Sequence, residues 1–179
     1  IELRVVYWEL VGAANNDYSS RFNSKQSSQD ILLDQRHLVL REKKETMTLA
    51  LASEMAFQFR SYFRSKRFTE VFLPTIVQNQ VEGGSNLFTL DYFDEKAYLT
   101  QSSQLYLEAA APAVRNAYCL VPSYRAERSF TRRHLSTFMH LEAEMSFLNF
   151  DQFRDFIEGL VMLVATSLLS VERFGPLIQ

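Results

Sequence analysis

The most constraining feature of the chain is a strand, a basic loop and a second strand over residues 123–147. Side chains alternate along a β-strand, so Arg125 and Glu127 share one face before the loop. After the loop, the residues that share one face are Phe138, His140, Glu142 and Glu144. If the two segments pair as an antiparallel hairpin, one surface carries both sets of side chains.

The loop itself adds a cluster of basic side chains, which are Arg128, Arg132, Arg133 and His134. Folding gains nothing from collecting so many ionisable groups on one face, because buried charges are costly unless they are paired. A ligand with phosphates, an aromatic ring and a cationic or amide group would use all of them. The alternative is a surface hairpin with solvated ion pairs, each contributing less than ~1 kcal/mol to stability.

Composition sets the class of protein and excludes several others. The 179 residues are 47% hydrophobic with few glycines and prolines, which predicts one globular domain with a real core. A net charge of −2 argues against general affinity for nucleic acid, so an RNA contact requires a local patch. The single cysteine, Cys119, lies in an apolar run and is predicted to be a buried structural thiol. No run of eighteen apolar residues exists, so no membrane span is predicted.

The remaining pattern predicts helices and short strands around the hairpin. Apolar residues recur at helical spacing over Glu45–Lys66, in a stripe wide enough to face a partner as well as the core. Arg67–Thr75 follows as a strand that Pro74 stops. A hairpin is predicted over 87–99 and a last helix over 151–170.

These motifs together resemble the class II aminoacyl-tRNA synthetases, in the aspartate/asparagine subgroup. The residues that resemble motif 2 are Arg-Ala-Glu at 125–127, Arg-His-Leu at 133–135, Phe138 and Glu-Ala-Glu at 142–144. The long helix, strand and Pro74 resemble motif 1, which forms the homodimer interface in that class. Without the other motifs, an ordinary amphipathic helix followed by a core strand would be the favoured interpretation of this segment.

The resemblance implies an α+β fold, the antiparallel sheet and flanking helices of a class II catalytic core. It implies three segments. Residues 1–12 are a remnant of an anticodon-binding oligonucleotide-binding barrel, formed by its last strand. Residues 13–33 are a linker, and residues 34–179 are the N-terminal part of the catalytic domain, with motifs 1 and 2. Motif 3 is not found, so only the first half of the core is expected.

The resemblance also implies a two-step reaction with ATP. An amino-acid carboxylate attacks the α-phosphorus, giving an aminoacyl adenylate and pyrophosphate, and the acyl group then passes to tRNA. By resemblance, Arg125 binds the α-phosphate as the catalytic residue and Glu127 accepts from the adenine amino group. Phe138 stacks on adenine, while Arg133 and His134 contact the terminal phosphates. Mg²⁺ is expected mostly on the phosphate oxygens and on a few carboxylates. By resemblance those carboxylates lie further along than this chain extends, so no metal ligand is assigned here.

The amino-acid site implied by the resemblance comprises Glu82, Gln101, Gln104 and Glu142. Glu82 belongs to a Gly-Gly loop whose Glu approaches the substrate ammonium group. The two glutamines are predicted one turn apart at the start of a helix, which Thr100 or Ser102 caps.

Two positions favour asparagine over aspartate as the substrate. Aspartate enzymes carry a Lys where this chain has Leu107, matched to the side-chain carboxylate of their substrate. Glu142 stands where they usually have Asp, and it would repel a second carboxylate. The partners implied are asparagine, ATP, the tRNA for asparagine and a second copy through motif 1, with no membrane. The sequence resembles the eukaryotic cytoplasmic type.

Two departures leave alternatives open. Thr137 replaces the Glu that usually precedes the stacking Phe, and motif 3 is missing. We expect an active asparagine enzyme as the parent protein, with little activity in this piece alone. The alternatives are an inactive synthetase-like dimerisation or binding module, and an aspartate enzyme, which Leu107 and Glu142 oppose.

Overall fold

A computed structural model describes residues 2–16, 27–79, 86–129, 131, 133–174 and 178 of the chain. Its helices are α1 (Gln29–Asp34), α2 (Arg36–Val39), α3 (Lys43–Ser65), α4 (Gln104–Val114) and α5 (Phe150–Ser170), followed by a 3-10 turn at Glu172–Phe174. Its strands are β1 (Thr69–Glu70), β2 (Ile76–Val77), β3 (Thr89–Tyr92), β4 (Glu95–Leu99), β5 (Asn116–Tyr124) and β6 (Thr137–Met145).

The central sheet has the order β1-β5-β6 and contains the predicted hairpin. Strands β5 and β6 pair antiparallel from Asn116 opposite Met145 to Tyr124 opposite Thr137. Strand β1 pairs parallel with β5. The connection between these two strands contains the second sheet and α4, and a connection of that length allows parallel pairing, which a tight turn does not. The predicted hairpin and the α+β class are therefore confirmed, with one parallel edge strand added.

The second sheet has the order β2-β4-β3 and contains the hairpin predicted over 87–99. Strands β3 and β4 meet at a two-residue turn of Phe93 and Asp94, between Tyr92 and its partner Glu95. Phe93 has φ 55°, the left-handed conformation that two-residue hairpin turns require.

Helices α3 and α5 pack on one another and on the central sheet. Tyr62 and Phe63 at the end of α3 are buried against Tyr118 of β5, with the Phe63 and Tyr118 rings stacked at 4.4 Å. Helix α3 starts and ends within two residues of the prediction. Near its start the apolar stripe remains open, since 56% of Leu49 is exposed.

A second part of the core lies between α4 and β5. Leu107, Ala117 and Cys119 are buried against one another. Burial raises the pKa of the Cys119 thiol, because the thiolate form is poorly solvated there. The prediction of a buried structural thiol is confirmed.

Two strand predictions are wrong, and a helix begins inside the predicted linker. Residues 2–11 form no strand in the described part of the chain, since they pair with no described neighbour there. The end of the predicted 13–33 linker is helical, because the Ser28 hydroxyl accepts from the Ile31 N–H and starts α1. Of the strand predicted at 67–75, only Thr69 and Glu70 pair in the sheet. No helix among the described residues is long and apolar enough to cross a membrane.

Candidate nucleotide and amino-acid site

The ladder between β5 and β6 brings three predicted site residues onto one face of the sheet. Ser123 lies opposite Phe138 and Cys119 lies opposite Glu142. The Arg125 N–H donates to the Ser136 carbonyl at 3.0 Å, which continues the pairing beyond the last strand residues. Opposite residues share a face, so Arg125, Phe138 and Glu142 all lie on it.

A cleft of about 240 Å³ opens at the end of this ladder. Its walls contain all the residues predicted to contact ATP, which are Arg125, Glu127, Arg133, His134 and Phe138. The Arg125 guanidinium lies over the Phe138 ring, with Cζ 5.2 Å from the ring centroid. The cleft thus combines an aromatic face with two guanidinium groups and a single carboxylate, which suits a purine joined to phosphates.

Hydrogen bonds shape the part of the loop that the structure describes. His134 Nδ1 lies 2.9 Å from the Ser129 hydroxyl and also contacts the Thr131 hydroxyl. The Arg133 N–H donates to the same Thr131 oxygen at 3.3 Å. These bonds leave the far side of the His134 ring and the Arg133 side chain directed at solvent, since both residues are exposed.

Glu142 is the most constrained residue of the predicted amino-acid site. Its side chain is 13% exposed. The Ser102 hydroxyl donates to Oε1 and the Ser103 N–H donates to Oε2 at 2.8 Å. His140 Nδ1 lies 3.3 Å from Oε2. Each carboxylate oxygen can accept a second hydrogen bond, so Glu142 is fixed in place with acceptor capacity remaining.

The predicted glutamine pair is only partly correct. Helix α4 begins at Gln104, so Gln101 lies before the helix and is buried in the loop, 6% exposed. The Gln104 side chain is exposed, and its amide donates to Glu108 at 3.0 Å. The predicted cap is wrong, because the N-cap residue is Ser103, which makes no side-chain cap hydrogen bond. The Ser102 hydroxyl nevertheless accepts from the Gln104 N–H at 3.2 Å.

Backbone hydrogen bonds hold the amino-acid segment beside the nucleotide cleft. The Thr100 N–H donates to the Thr75 carbonyl at 2.9 Å, and the Thr100 carbonyl accepts from the Tyr124 N–H at 2.8 Å. The Ala126 N–H donates to the Asn86 carbonyl at 2.8 Å, which places the residue after segment 80–85 next to the cleft. Glu82 belongs to that segment and lies outside the described residues.

Sequence reasoning missed the residues that support Glu142. Ser123 is fully buried, and its hydroxyl lies 3.0 Å from His140 Nδ1, the same nitrogen that faces Glu142. Alternation already places Ser123 two residues before Arg125 on the same face, so this signal was available. Ser103 carried no such signal, because its contact with Glu142 depends on how α4 packs.

A group of acidic side chains lies beside this network. Burial raises the pKa of Glu144, and the negative charges of Glu108 and Glu142 raise it further. Among the described residues, no group of three or more His, Cys, Asp and Glu side chains could hold a metal ion.

Comparison with known proteins identifies the class. A sequence model of the family described as tRNA synthetases class II (D, K and N) matches residues 28–174. The chain belongs to this family. The Entamoeba histolytica asparaginyl-tRNA synthetase, solved in complex with asparaginyl-adenylate, is similar in structure with a TM-score of 0.88 and 40% identity, over 99% of this chain and 39% of that one. The class II catalytic core expected from the sequence is confirmed.

Two further comparisons bear on the branch of the family. The cytoplasmic asparagine–tRNA ligase of Debaryomyces hansenii is 43% identical over 181 residues, covering all of this chain and 33% of the relative. The aspartyl-tRNA synthetase of Entamoeba histolytica has a TM-score of 0.69 and 28% identity, over 84% of this chain and 28% of that one. The chain thus spans about a third of the length of the curated relatives it matches.

Proposed function

We propose that the protein joins asparagine to its tRNA through an asparaginyl-adenylate made from ATP. The observation that carries this proposal is the single face that holds Arg125, Phe138 and Glu142, with the cleft at its end. The asparagine enzymes found among its relatives and structural neighbours support the same chemistry.

The residues of the cleft act by position and charge. The asparagine carboxylate is already ionised, so its attack on the α-phosphorus needs no protein base. Arg125 neutralises charge on the α-phosphate, while Arg133 and His134 bind the terminal phosphates. Phe138 stacks on the adenine ring, and Glu127 accepts from its amino group. Arg125 lies over the Phe138 ring, so nucleotide binding would exchange this cation–π contact for base stacking and a phosphate contact.

Mg²⁺ belongs to this scheme as a companion of ATP. It would be held mostly by phosphate oxygens together with a few carboxylates. When bound, it would offset phosphate charge.

Glu142 is proposed to select asparagine over aspartate. The serine and backbone donors that hold it keep an acceptor at the end of the site, where the amide of asparagine can donate to it. An aspartate side chain would place one carboxylate against another. Gln101, Gln104 and Glu82 are proposed to bind the rest of the amino acid.

Leu107, the other position that favours asparagine, acts indirectly. Its side chain is 1% exposed and packs against Ala117 and Cys119, so it lines the core below the site. A lysine introduced here would bury an ammonium group without a partner. Substitution at this position therefore tests stability as much as specificity.

The alternative of a catalytically inactive module gains little support from Thr137, which replaces the usual Glu. Thr137 directly precedes Phe138 on β6, so its side chain leaves the opposite face of the strand. The missing carboxylate is therefore not on the face that holds the cleft residues. The tRNA for asparagine, a homodimer through the α3–β1 segment and a cytoplasmic location complete the proposal.

An adenylate analogue tests the proposal directly. We expect the chain to bind the sulfamoyl analogue of asparaginyl-adenylate, measured by isothermal titration calorimetry, at least tenfold more tightly than the aspartyl analogue. Phe138→Ala should weaken binding about 5- to 100-fold, the range for loss of one stacking ring. Phe153→Ala, on the exposed side of α5, is the control and should leave binding unchanged. Absence of binding, a preference for the aspartyl analogue, or equal losses in both variants would refute the proposal.

A further inference from the structure

A second and larger groove lies at the other end of the central sheet. It has a volume of about 960 Å³ and lies where α3 and α4 end, β5 begins and β6 ends. The nine residues of β5 separate this groove from the nucleotide cleft. The separation is about 26 Å, because a strand rises roughly 3.3 Å per residue. Its volume is at the upper end of the roughly 300–1,000 Å³ range of ligand sites.

Three cations and four aromatic rings line this groove. Its walls include Tyr62, Lys66, Arg67, Arg115, Phe147 and Asp155. Asp155 is the one carboxylate among these lining residues, so the three cations leave the groove walls with a net positive charge in a chain whose net charge is −2.

Two of these rings, those of Tyr62 and Phe147, are each paired with a cation. The Arg115 guanidinium carbon lies 5.7 Å from the centroid of the Phe147 ring, and Lys66 Nζ lies 5.5 Å from that of Tyr62. Phe147 is 89% exposed, so its ring contributes little to the core. An exposed ring beside a guanidinium forms a platform on which a base can stack while its phosphate meets a cation.

The backbone supports the same interpretation. Among the described residues, four that are not glycine have positive φ, and three of them line this groove: Arg67 at 61°, Arg115 at 69° and Phe147 at 64°. Arg115, with φ 69° and ψ −52°, has the rare and strained geometry of a γ-turn with positive φ. Arg67 follows α3 where helices usually end in glycine.

Helix dipoles explain why cations lie near the ends of α3 and α4, but not why glycine is absent from the left-handed positions. Such conformations are strained, and they collect at functional sites. Side chains stand where glycine would relieve the strain, and those side chains are two of the cations and the exposed ring.

We propose that this groove binds a single-stranded segment of RNA. Phe147 stacks on a base, and Lys66, Arg67 and Arg115 contact the flanking phosphates. The contact is independent of sequence, since stacking and phosphate pairing read no base edges. The RNA contact does not use the nucleotide cleft, so this proposal does not depend on the proposed aminoacylation.

A matched pair of phenylalanines tests the stacking contact. Phe93 is 88% exposed with φ 55°, almost the same exposure and backbone as Phe147, but lies at the turn of the second sheet. We expect Phe147→Ala to weaken binding of fluorescently labelled ten-nucleotide oligo(A) and oligo(U) RNA about 5- to 100-fold in fluorescence anisotropy, and Phe93→Ala to change nothing. A polyphosphate chain without bases should not distinguish the two variants.

A glycine variant separates binding from stability. Arg115→Gly removes one cation and relieves the strained backbone, so we expect an unchanged or higher melting temperature together with weaker RNA binding. Three cations predict a slope of log K against log salt of about −2, at roughly −0.7 per contact, and Arg115→Gly should reduce it by about 0.7. The proposal is overturned if the wild-type chain binds neither RNA, if the Phe147 and Phe93 variants lose affinity equally, or if Phe138→Ala abolishes binding while Phe147→Ala does not.

Discussion

At the scale of single residues, the site depends on how one carboxylate is held. Glu142 accepts from the Ser102 hydroxyl and the Ser103 N–H at the start of α4, where the helix dipole favours negative charge. These bonds place an acceptor in a fixed position without neutralising it. The same carboxylate is one of the charges that act on its neighbour Glu144.

Glu144 gives a pH-dependent prediction. Its pKa is raised in the folded chain, first by burial and then by Glu108 and Glu142, so the folded state binds its proton more tightly than the unfolded state. Stability is therefore lost as pH rises from the unfolded value, about 4.5, through the raised value. Glu144→Gln stays neutral, so we expect it to melt higher than wild type at pH 7 and equally at pH 4. Thermal unfolding between these pH values measures the difference.

Glu2→Gln is the control, because it makes the same substitution at an exposed residue near the start of the chain. A melting difference between Glu144→Gln and wild type that stays constant from pH 4 to pH 7 would contradict the assignment of the effect to Glu144 ionisation.

The positions of these site residues were predictable from sequence where one local rule, the alternation of side chains along a strand, was sufficient. Alternation along two strands, with a correct hairpin, brought Arg125, Phe138 and Glu142 to one face. It could not show that Ser103 donates to Glu142 or that Glu108 lies near Glu144. Both contacts depend on the packing of α4 against β6, which no local pattern encodes.

At the scale of elements, the contact between α3 and α5 is controlled by one small residue. The Tyr62 hydroxyl donates to the Phe156 carbonyl at 2.8 Å, and a Cβ added to Gly159 would lie 2.8 Å from that hydroxyl oxygen. Tyr62 is 4% exposed and packs among other rings, so it cannot easily move away.

We therefore expect Gly159→Ala to destabilise the chain by about 1 kcal/mol. Alanine gains about 1 kcal/mol over glycine in a helix, but overpacking costs typically 1–3 kcal/mol. In a Tyr62→Phe background the clash is absent, so the same substitution should become neutral or stabilising. Urea unfolding of the four proteins in this double-mutant cycle measures the coupling, which should be about 1–2 kcal/mol.

Gly12→Ala is the control for this cycle, because no atom lies within 4 Å of its added Cβ. If Gly159→Ala costs the same in both Tyr62 backgrounds, the contact with the Tyr62 hydroxyl does not limit the packing of α5.

The sequence predicts an element well when the hydrogen bonds that stabilise it lie within the element itself. The 3.6-residue period gave α3 to within two residues at each end, because the helix makes its own hydrogen bonds. Strands need a partner, and here prediction was weaker. The segment 67–75 reduced to a two-residue β1, and the strand predicted over 1–11 has no ladder among the described residues.

At the scale of the whole molecule, apolar surface remains that the described fold does not cover. A groove of about 550 Å³ between α3 and α5 is almost entirely apolar, and Met55, Val161 and Leu169 in its walls are 39%, 59% and 54% exposed. Contiguous apolar surface on a soluble chain marks an interaction site. The proposed homodimer through α3 would cover this groove.

Because of this surface, we expect the chain to dimerise at micromolar concentration in analytical ultracentrifugation, and Met55→Glu to shift it to monomer. Glutamate and methionine have similar helix propensities, and Met55 is partly exposed, so the variant should stay folded. Phe93→Glu introduces the same charge at an exposed position in the turn of the second sheet, and this variant should remain dimeric.

If both variants dimerise like wild type, the groove between α3 and α5 is not the interface and the proposed homodimer must use another surface. If Met55→Glu alone dissociates, the open apolar stripe of α3 is explained by a second copy, because a charge placed there disrupts the interface without changing the helix that carries it.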